Sequence, residues 1–212
     1  MYLCRKEQWK ESQKILEEIV AEFADVNHPL TKVLKEETPY PFLYERSEFA
    51  LAESYMKLSM AGKAQERLGA MLEHYRERGV KEGLYLSHTW RELGKLAFQC
   101  KDYETALNCL KIAESVGKNY LSAEQKLKIN LMISECYRYQ KEYDTAMRLL
   151  SNVINADIAS PLRLKAMYLR AEIYELQDRH ELAIRQLEAT AKYGGEWGIL
   201  AKDKLRREYG LE

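Results

Sequence analysis

Few side chains in this sequence have the type and spacing needed for catalysis or metal binding. Glu135 and Glu172 lie on segments that we expect to be adjacent helices, where paired carboxylates could act as general acid and base, although exposed carboxylates would repel one another. The histidines and cysteines follow no spacing typical of a metal site or a nucleophilic site. They are His28, His74, His88, His180, Cys4, Cys100, Cys109 and Cys136. We therefore expect no catalytic site, no cofactor and no metal ion.

The composition limits the partners that the chain could bind. With 33 basic and 33 acidic residues the formal net charge is zero, which removes the strongest electrostatic argument for nucleic acid or an anionic membrane. No apolar stretch approaches the roughly 18 residues of a membrane span, and the N-terminus lacks the hydrophobic segment of a signal peptide. We expect a protein or peptide partner, no nucleic acid and no membrane insertion. The expected location is cytoplasmic unless the chain is part of a longer exported protein, and the cysteines should be buried thiols.

The strongest pattern is a block that recurs along the chain. Its best copies are residues 101–107 and 141–147, with weaker copies at 61–65 and 179–184. One alanine marks each copy, and successive markers are separated by 42, 40 and 37 residues. A period of this length indicates a stack of helical hairpins, so the elements that would position any site are paired helices. The marker alanines are Ala64, Ala106, Ala146 and Ala183.

The best copy carries a recognisable motif. The pattern W-x2-L-G-x2-A at 90–97 falls on one face of a helix, and A-x3-L follows at 106–110. Together they resemble a tetratricopeptide repeat, and the template fits the other three marker alanines in degenerate form. Tyr55, Tyr137 and Tyr174 then occupy the position where the family has a tyrosine. The resemblance implies an all-α fold, an α-solenoid of antiparallel helical hairpins arranged as a TPR-like superhelix.

The resemblance and the prolines divide the chain into four parts. Residues 1–26 would be a partial repeat or an N-terminal cap, and residues 27–41 a connection containing Pro29, Pro39 and Pro41. Residues 42–195 would hold four repeats, followed by a capping helix at 196–212 whose basic side chains face water. Those side chains are Lys202, Lys204, Arg206 and Arg207. The repeats are expected at about 45–82, 87–120, 127–160 and 164–195.

The N-terminal segment predicts self-association. Residues 7–16 resemble the second helix of one more repeat, so the chain would begin inside a repeat. The chain could be the C-terminal part of a longer tetratricopeptide protein, or the segment could be a degenerate cap. In the first case several apolar side chains lack a covering neighbour, and we expect self-association through this N-terminal face. They are Tyr2, Leu3, Trp9 and Leu16.

A binding groove follows from the resemblance. In tetratricopeptide families the first helix of each repeat lines a concave groove that binds peptides or partner helices. Apolar anchors flanked by charge have the composition of such a site, although these residues could instead pack against the neighbouring repeat. The groove residues implied by the resemblance are Phe49, Met56, His88, Arg91, Lys95, Phe98, Lys128, Leu131, Arg138 and Tyr168.

The function implied is that of a protein–protein interaction scaffold that binds a partner in this groove. Two alternatives remain within the family: a bacterial secretion chaperone and a cell-envelope assembly protein, whose last repeat the E-W-x3-A-x3-L pattern at 196–205 resembles. An enzyme would require Glu135 and Glu172 to meet in a deep closed pocket. Adaptors for acidic chaperone tails are disfavoured, because no asparagine occupies a groove position and Glu53 would repel such a tail.

Overall fold

The computed structural model describes residues 8–24, 41–156 and 161–211, and every regular element in these ranges is an α-helix. The all-α fold and the expectation of about ten helices are confirmed for this part of the chain. Residues 1–7, with Tyr2 and Leu3, lie outside the described ranges, as does most of the predicted connection at 27–41. The helices are α1 (Trp9–Ala24), α2 (Pro41–Lys57), α3 (Ala61–Glu77), α4 (Leu84–Gln99), α5 (Tyr103–Val116), α6 (Ala123–Tyr139), α7 (Tyr143–Asn155), α8 (Pro161–Leu176), α9 (His180–Ala191) and α10 (Glu196–Tyr209).

Four turns between helices share one backbone conformation. Each contains a residue other than glycine with φ between 58° and 63°, the left-handed region that costs most side chains energy. Each of these residues precedes a marker alanine by five positions, so the turns repeat with the sequence period. The residues are Ser59, Lys101, Lys141 and Asp178. The sequence repeat is thus also a repeat of backbone geometry.

Three of these turns form a backbone hydrogen bond to a tyrosine that occupies the tyrosine position of the tetratricopeptide template. In each, the amide after the left-handed residue donates to the carbonyl of a tyrosine five residues earlier, as in a Schellman motif. The N···O distances are 2.8 Å to Tyr55, 2.9 Å to Tyr137 and 2.8 Å to Tyr174. The hydrogen bonds satisfy carbonyls that the helix end would otherwise leave without a partner.

The marker alanines lie in the core. Ala64, Ala106, Ala146 and Ala183 are all 0% exposed, as the repeat pattern predicts. A methyl side chain lets neighbouring helices approach closely, and a larger one would overpack the contact.

The described helices fall into two compact units, and the boundary passes through α5. The first unit contains α1 to α4 and residues 112–120. Its core joins α1 to α2 and α3 through Leu16, Tyr55 and Leu68, among others. Leu16 is only 3% exposed, so the prediction that it lies uncovered is wrong: α2 packs against α1 and covers it.

The second unit contains residues 101–111 and the helices α6 to α10. Leu150 and Val153 of α7 pack with Leu169 of α8 in one part of its core. Leu187 of α9 packs with Leu205 of α10 in another. Consecutive helices joined by short turns therefore pack as hairpins. The apolar side of α10, with Ala201 and Leu205, packs against α8 and α9.

Candidate partner-binding surface

In the first unit, an aromatic cluster joins the first helices of two hairpins. Phe49 and Met56 of α2 are half-buried against the core. The ring of Phe49 lies 5.5 Å from that of His88 on α4, and Tyr85 meets the same imidazole edge-on at 6.0 Å. Burial, reinforced by the positive charge of Arg91, lowers the pKa of His88 to about 4. The imidazole is therefore neutral near pH 7, and the cluster is apolar with a polar edge.

Arg91 and Lys95 on the same helix share one carboxylate. Glu92 is 3% exposed, and its Oε1 accepts from Arg91 Nη2 at 2.8 Å and from Lys95 Nζ at 2.6 Å. The Arg91 side chain is 15% exposed and that of Lys95 is 41% exposed. Glu92 is not among the predicted site residues, and the only signal for it in the sequence is its position three residues before Lys95. Two cations around one carboxylate leave a net charge of +1, which we call the positive excess. Lys95 carries this charge to the solvent, three residues before the half-buried Phe98 on the same helix.

In the second unit, two ion pairs join the first helices α6 and α8, and a third joins α8 to α10. Each pair joins an acidic residue on one helix to a basic residue on the next, so α6 is fixed to α8 and α8 to α10 by side chains at hydrogen-bond distance. Most of these side chains are largely buried, which strengthens each pair relative to one in water. The pairs are Glu135 with Lys165 at 2.5 Å, Arg138 with Glu172 at 2.6 Å, and Glu175 with Lys204 at 2.6 Å.

These ion pairs also show what surrounds the two carboxylates that could have formed a general acid–base pair. Glu135 and Glu172 each bind a cation and do not form a carboxylate dyad. Burial raises the pKa of Glu172, and the neighbouring guanidinium of Arg138 opposes this effect. The arrangement is that of a structural ion pair.

Tyr168 lies on α8 between Lys165 and Glu172, two residues that form these ion pairs. Its ring centroid is 5.5 Å from that of Trp197, and the Nζ of Lys204 lies 5.8 Å above it. The Lys204 side chain is only 13% exposed, so the prediction that it faces water is wrong. The reason is that Glu175 on α8 draws its ammonium group inward.

Two other predicted groove residues have different surroundings. Leu131 is 2% exposed and belongs to the core with Leu150 and Val153, so it is not an exposed anchor. Both α7 and α8 pack against α6, which buries a wider face of that helix than one hairpin partner would. Lys128 is exposed and pairs with Glu124 of its own helix at 2.8 Å.

The described residues offer no group of three or more His, Cys, Asp or Glu side chains that could hold a metal ion. Cys109 and Cys136 are buried as expected, whereas Cys100 is exposed. Burial raises the pKa of both buried thiols, that of Cys136 to about 12, so neither is poised as a nucleophile. None of the helices in the described ranges has the length and hydrophobicity to cross a membrane.

The comparison with known proteins rests on structure. No family model matches the chain, and no curated protein matches it. Solved structures do: the TPR-like repeats of a protein from Podosopora anserina described as a kinesin light chain share 19% identity, with 98% of this chain and 93% of that chain covered and a TM-score of 0.68.

Two further structures show the same likeness. BtubC (BKLC) from P. vanneervenii shares 12% identity over 92% of this chain and 79% of that chain, with a TM-score of 0.72. MamA from Desulfovibrio magneticus RS-1 shares 12% identity over 85% of this chain and 94% of that chain, with a TM-score of 0.56. At such low identity the likeness establishes the fold. This chain has the all-α fold of the tetratricopeptide-like repeat proteins.

Proposed function

We propose that this chain is a protein-interaction scaffold that binds a protein or peptide partner on the first helices of its hairpins. The observation that carries the proposal is the surface of α2 and α4 in the first unit. There the half-buried rings of Phe49 and His88 adjoin the positive excess around Glu92. Aromatic anchors beside fixed charges are the composition that dominates binding energy at protein interfaces.

In the second unit, we propose that the first helices α6 and α8 also contribute binding residues. Lys128 is exposed there, and Tyr168 and Arg138 are half-buried and held by neighbouring side chains. Lys128 and Arg138 are already fixed by ion pairs, and Tyr168 by Trp197 and Lys204, so a partner would lose little side-chain entropy on binding them. The fold supports the proposal, since stacked hairpins present extended surfaces suited to binding.

The chemistry of the surface restricts the partner. Phe49 and Met56 favour an apolar side chain, and the cationic excess at Lys95 favours a carboxylate close to it. We infer a partner segment with an apolar anchor and a single acidic group placed at Lys95, because a second acidic group near Glu53 of α2 would be repelled.

Capture of partners by the immobilised chain tests the proposal. Lys95→Gln removes the exposed charge while Arg91 continues to neutralise Glu92, and Phe98→Ala removes an adjacent apolar group. Lys118→Gln, at an exposed position outside the surface, serves as the matched control. Once mass spectrometry has identified a captured protein, titration calorimetry should show that the first two variants bind it more weakly and that the control does not. Equal affinity for all four proteins would place the binding surface elsewhere.

A further inference from the structure

Arg138 of α6 is held in place by a single carboxylate. Its Nη1 donates to Oε2 of Glu172 on α8 at 2.6 Å, and the arginine side chain is only 15% exposed. The Nε of the same guanidinium is buried and has no hydrogen-bond partner among the described residues. A guanidinium without a compensating charge is costly to bury. The buried position of Arg138 therefore depends on the negative charge of Glu172.

The ring of Tyr139 gives the guanidinium another place to lie. The guanidinium carbon of Arg138 is 4.6 Å from the centre of this ring, and Tyr139 is 47% exposed. Arginine keeps its favourable contact with an aromatic face while its nitrogens turn to water. If Glu172 loses its charge, Arg138 can thus leave the space between α6 and α8 without a change in the helices.

Glu172 is the member of this contact that can lose its charge. Burial raises the pKa of its carboxyl group above the ordinary value, and two neighbouring carboxylates add to this effect, whereas two cations oppose it. Glu172 in turn helps to raise the pKa of a nearby phenol, which stays neutral. These neighbours are Arg138 and Glu135 of α6, Tyr168 and Glu175 of α8, and Lys204 of α10.

We propose that the contact between Arg138 and Glu172 is a proton-operated latch between α6 and α8. While Glu172 is ionised, the latch is closed and Arg138 lies between the two helices. When Glu172 takes up a proton from the solvent, its carboxyl group no longer compensates the guanidinium, which turns to water over the ring of Tyr139. The other two ion pairs of this unit stay formed, so opening moves a side chain and leaves the fold intact.

The latch is a property of the second unit and does not depend on the proposed function. Arg138 is also a residue of the proposed binding surface, so an open latch would present it to a partner without a fixed position. Only that consequence rests on the proposed function. The latch can be measured on the chain by itself, so its test stays informative if no partner binds.

NMR of the chain alone tests the latch. The carboxyl carbon of Glu172 should titrate above the ordinary glutamate pKa of about 4.3, and the Nε–Hε group of Arg138 should change from ordered to mobile over the same pH range. In Arg138→Gln the titration of Glu172 should move further upwards, because a cation that opposes protonation is absent. A midpoint at or below the ordinary value, or an Arg138 side chain that stays ordered on both sides of the midpoint, would overturn the proposal.

The pH dependence of stability gives a second readout, with Glu172→Gln as a mimic of the protonated form. Because the pKa of Glu172 is raised in the folded chain, this group contributes stability that is present at low pH and is lost as the pH rises through the folded pKa. Relative to Glu172→Gln, the unmodified chain should therefore gain in melting temperature as the pH falls from 7.5 towards about 4.5. An ordinary ion pair, which lowers the pKa of its carboxylate, gives the opposite slope.

The comparison at each pH cancels the contribution of His88, which both chains share. Glu188→Gln, at an exposed position on α9, is the matched control and should follow the unmodified chain at every pH. A slope of the opposite sign for Glu172→Gln, or the same slope in the control, would contradict the latch.

Discussion

At the scale of single residues, the surroundings of His88 illustrate how packing changes chemistry. The imidazole lies among Phe49, Tyr85, Arg91 and Glu92. Burial and the neighbouring cation disfavour its protonated form and lower its pKa to about 4. In the unfolded chain the ring would take up a proton near pH 6.5. His88 therefore contributes stability that is present above pH 6.5 and is lost as the pH falls towards 4.

The pH dependence of the melting temperature tests this account. The unmodified chain should lose stability between pH 6.5 and 4. His88→Phe should lose less, because the phenylalanine ring carries no basic nitrogen that could take up a proton. Circular dichroism melts at several pH values measure the difference, and an NMR titration of His88 gives its pKa directly. A titration midpoint near the ordinary 6.5 would show that the ring is not buried as described.

A second prediction concerns Glu92. Because this carboxylate is buried, Arg91→Glu would leave two carboxylates together with Lys95 alone to neutralise them. We expect a loss of about 2–3 kcal/mol in the free energy of unfolding, the order of cost for a buried charged group that loses a partner. Lys95→Gln should cost clearly less, since Arg91 remains. Urea titration of both variants measures the difference, and equal small losses would mean that Glu92 is solvated.

At the scale of helices and turns, the sequence predicted the repeat well and the contacts between helices poorly. The marker alanines and the tyrosines Tyr55, Tyr137 and Tyr174 lie where the period and the template place them. These features depend on local geometry, which a short stretch of sequence determines. Glu92, Leu131 and Lys204 were missed or misplaced because their burial depends on a neighbouring helix. Spacing along one helix cannot show how wide a face its neighbours cover.

The left-handed turns give a prediction at this scale. Lys141 adopts φ 63°, which is strained for lysine and unstrained for glycine. Lys141→Gly should therefore stabilise the protein by roughly 0.5–1 kcal/mol, after the greater flexibility of glycine in the unfolded chain is subtracted. Lys126→Gly, inside α6, is the matched control and should destabilise by about 1 kcal/mol. Thermal melts of both variants measure the effect, and loss of stability in both would show that the turn conformation is not as described.

At the scale of the whole molecule, self-association through the N-terminal face stays a prediction. Leu16 is covered by α2, but Ile15 is 42% exposed and Trp9 is half-buried, with Lys57 Nζ 5.8 Å from its ring. If this face associates, Trp9→Glu should reduce the apparent mass at high concentration in light scattering. An unchanged mass would contradict self-association through this face.

The central claim is that the first helices of the hairpins bind the partner. Hydrogen–deuterium exchange of the chain, alone and with a captured partner, tests it most directly, because binding slows exchange where the partner covers the surface. We expect added protection in α2, α4, α6 and α8 and little change in α3, α7 and α9. Protection confined to α3, α7 and α9 would contradict the claim and place the partner on the second helices.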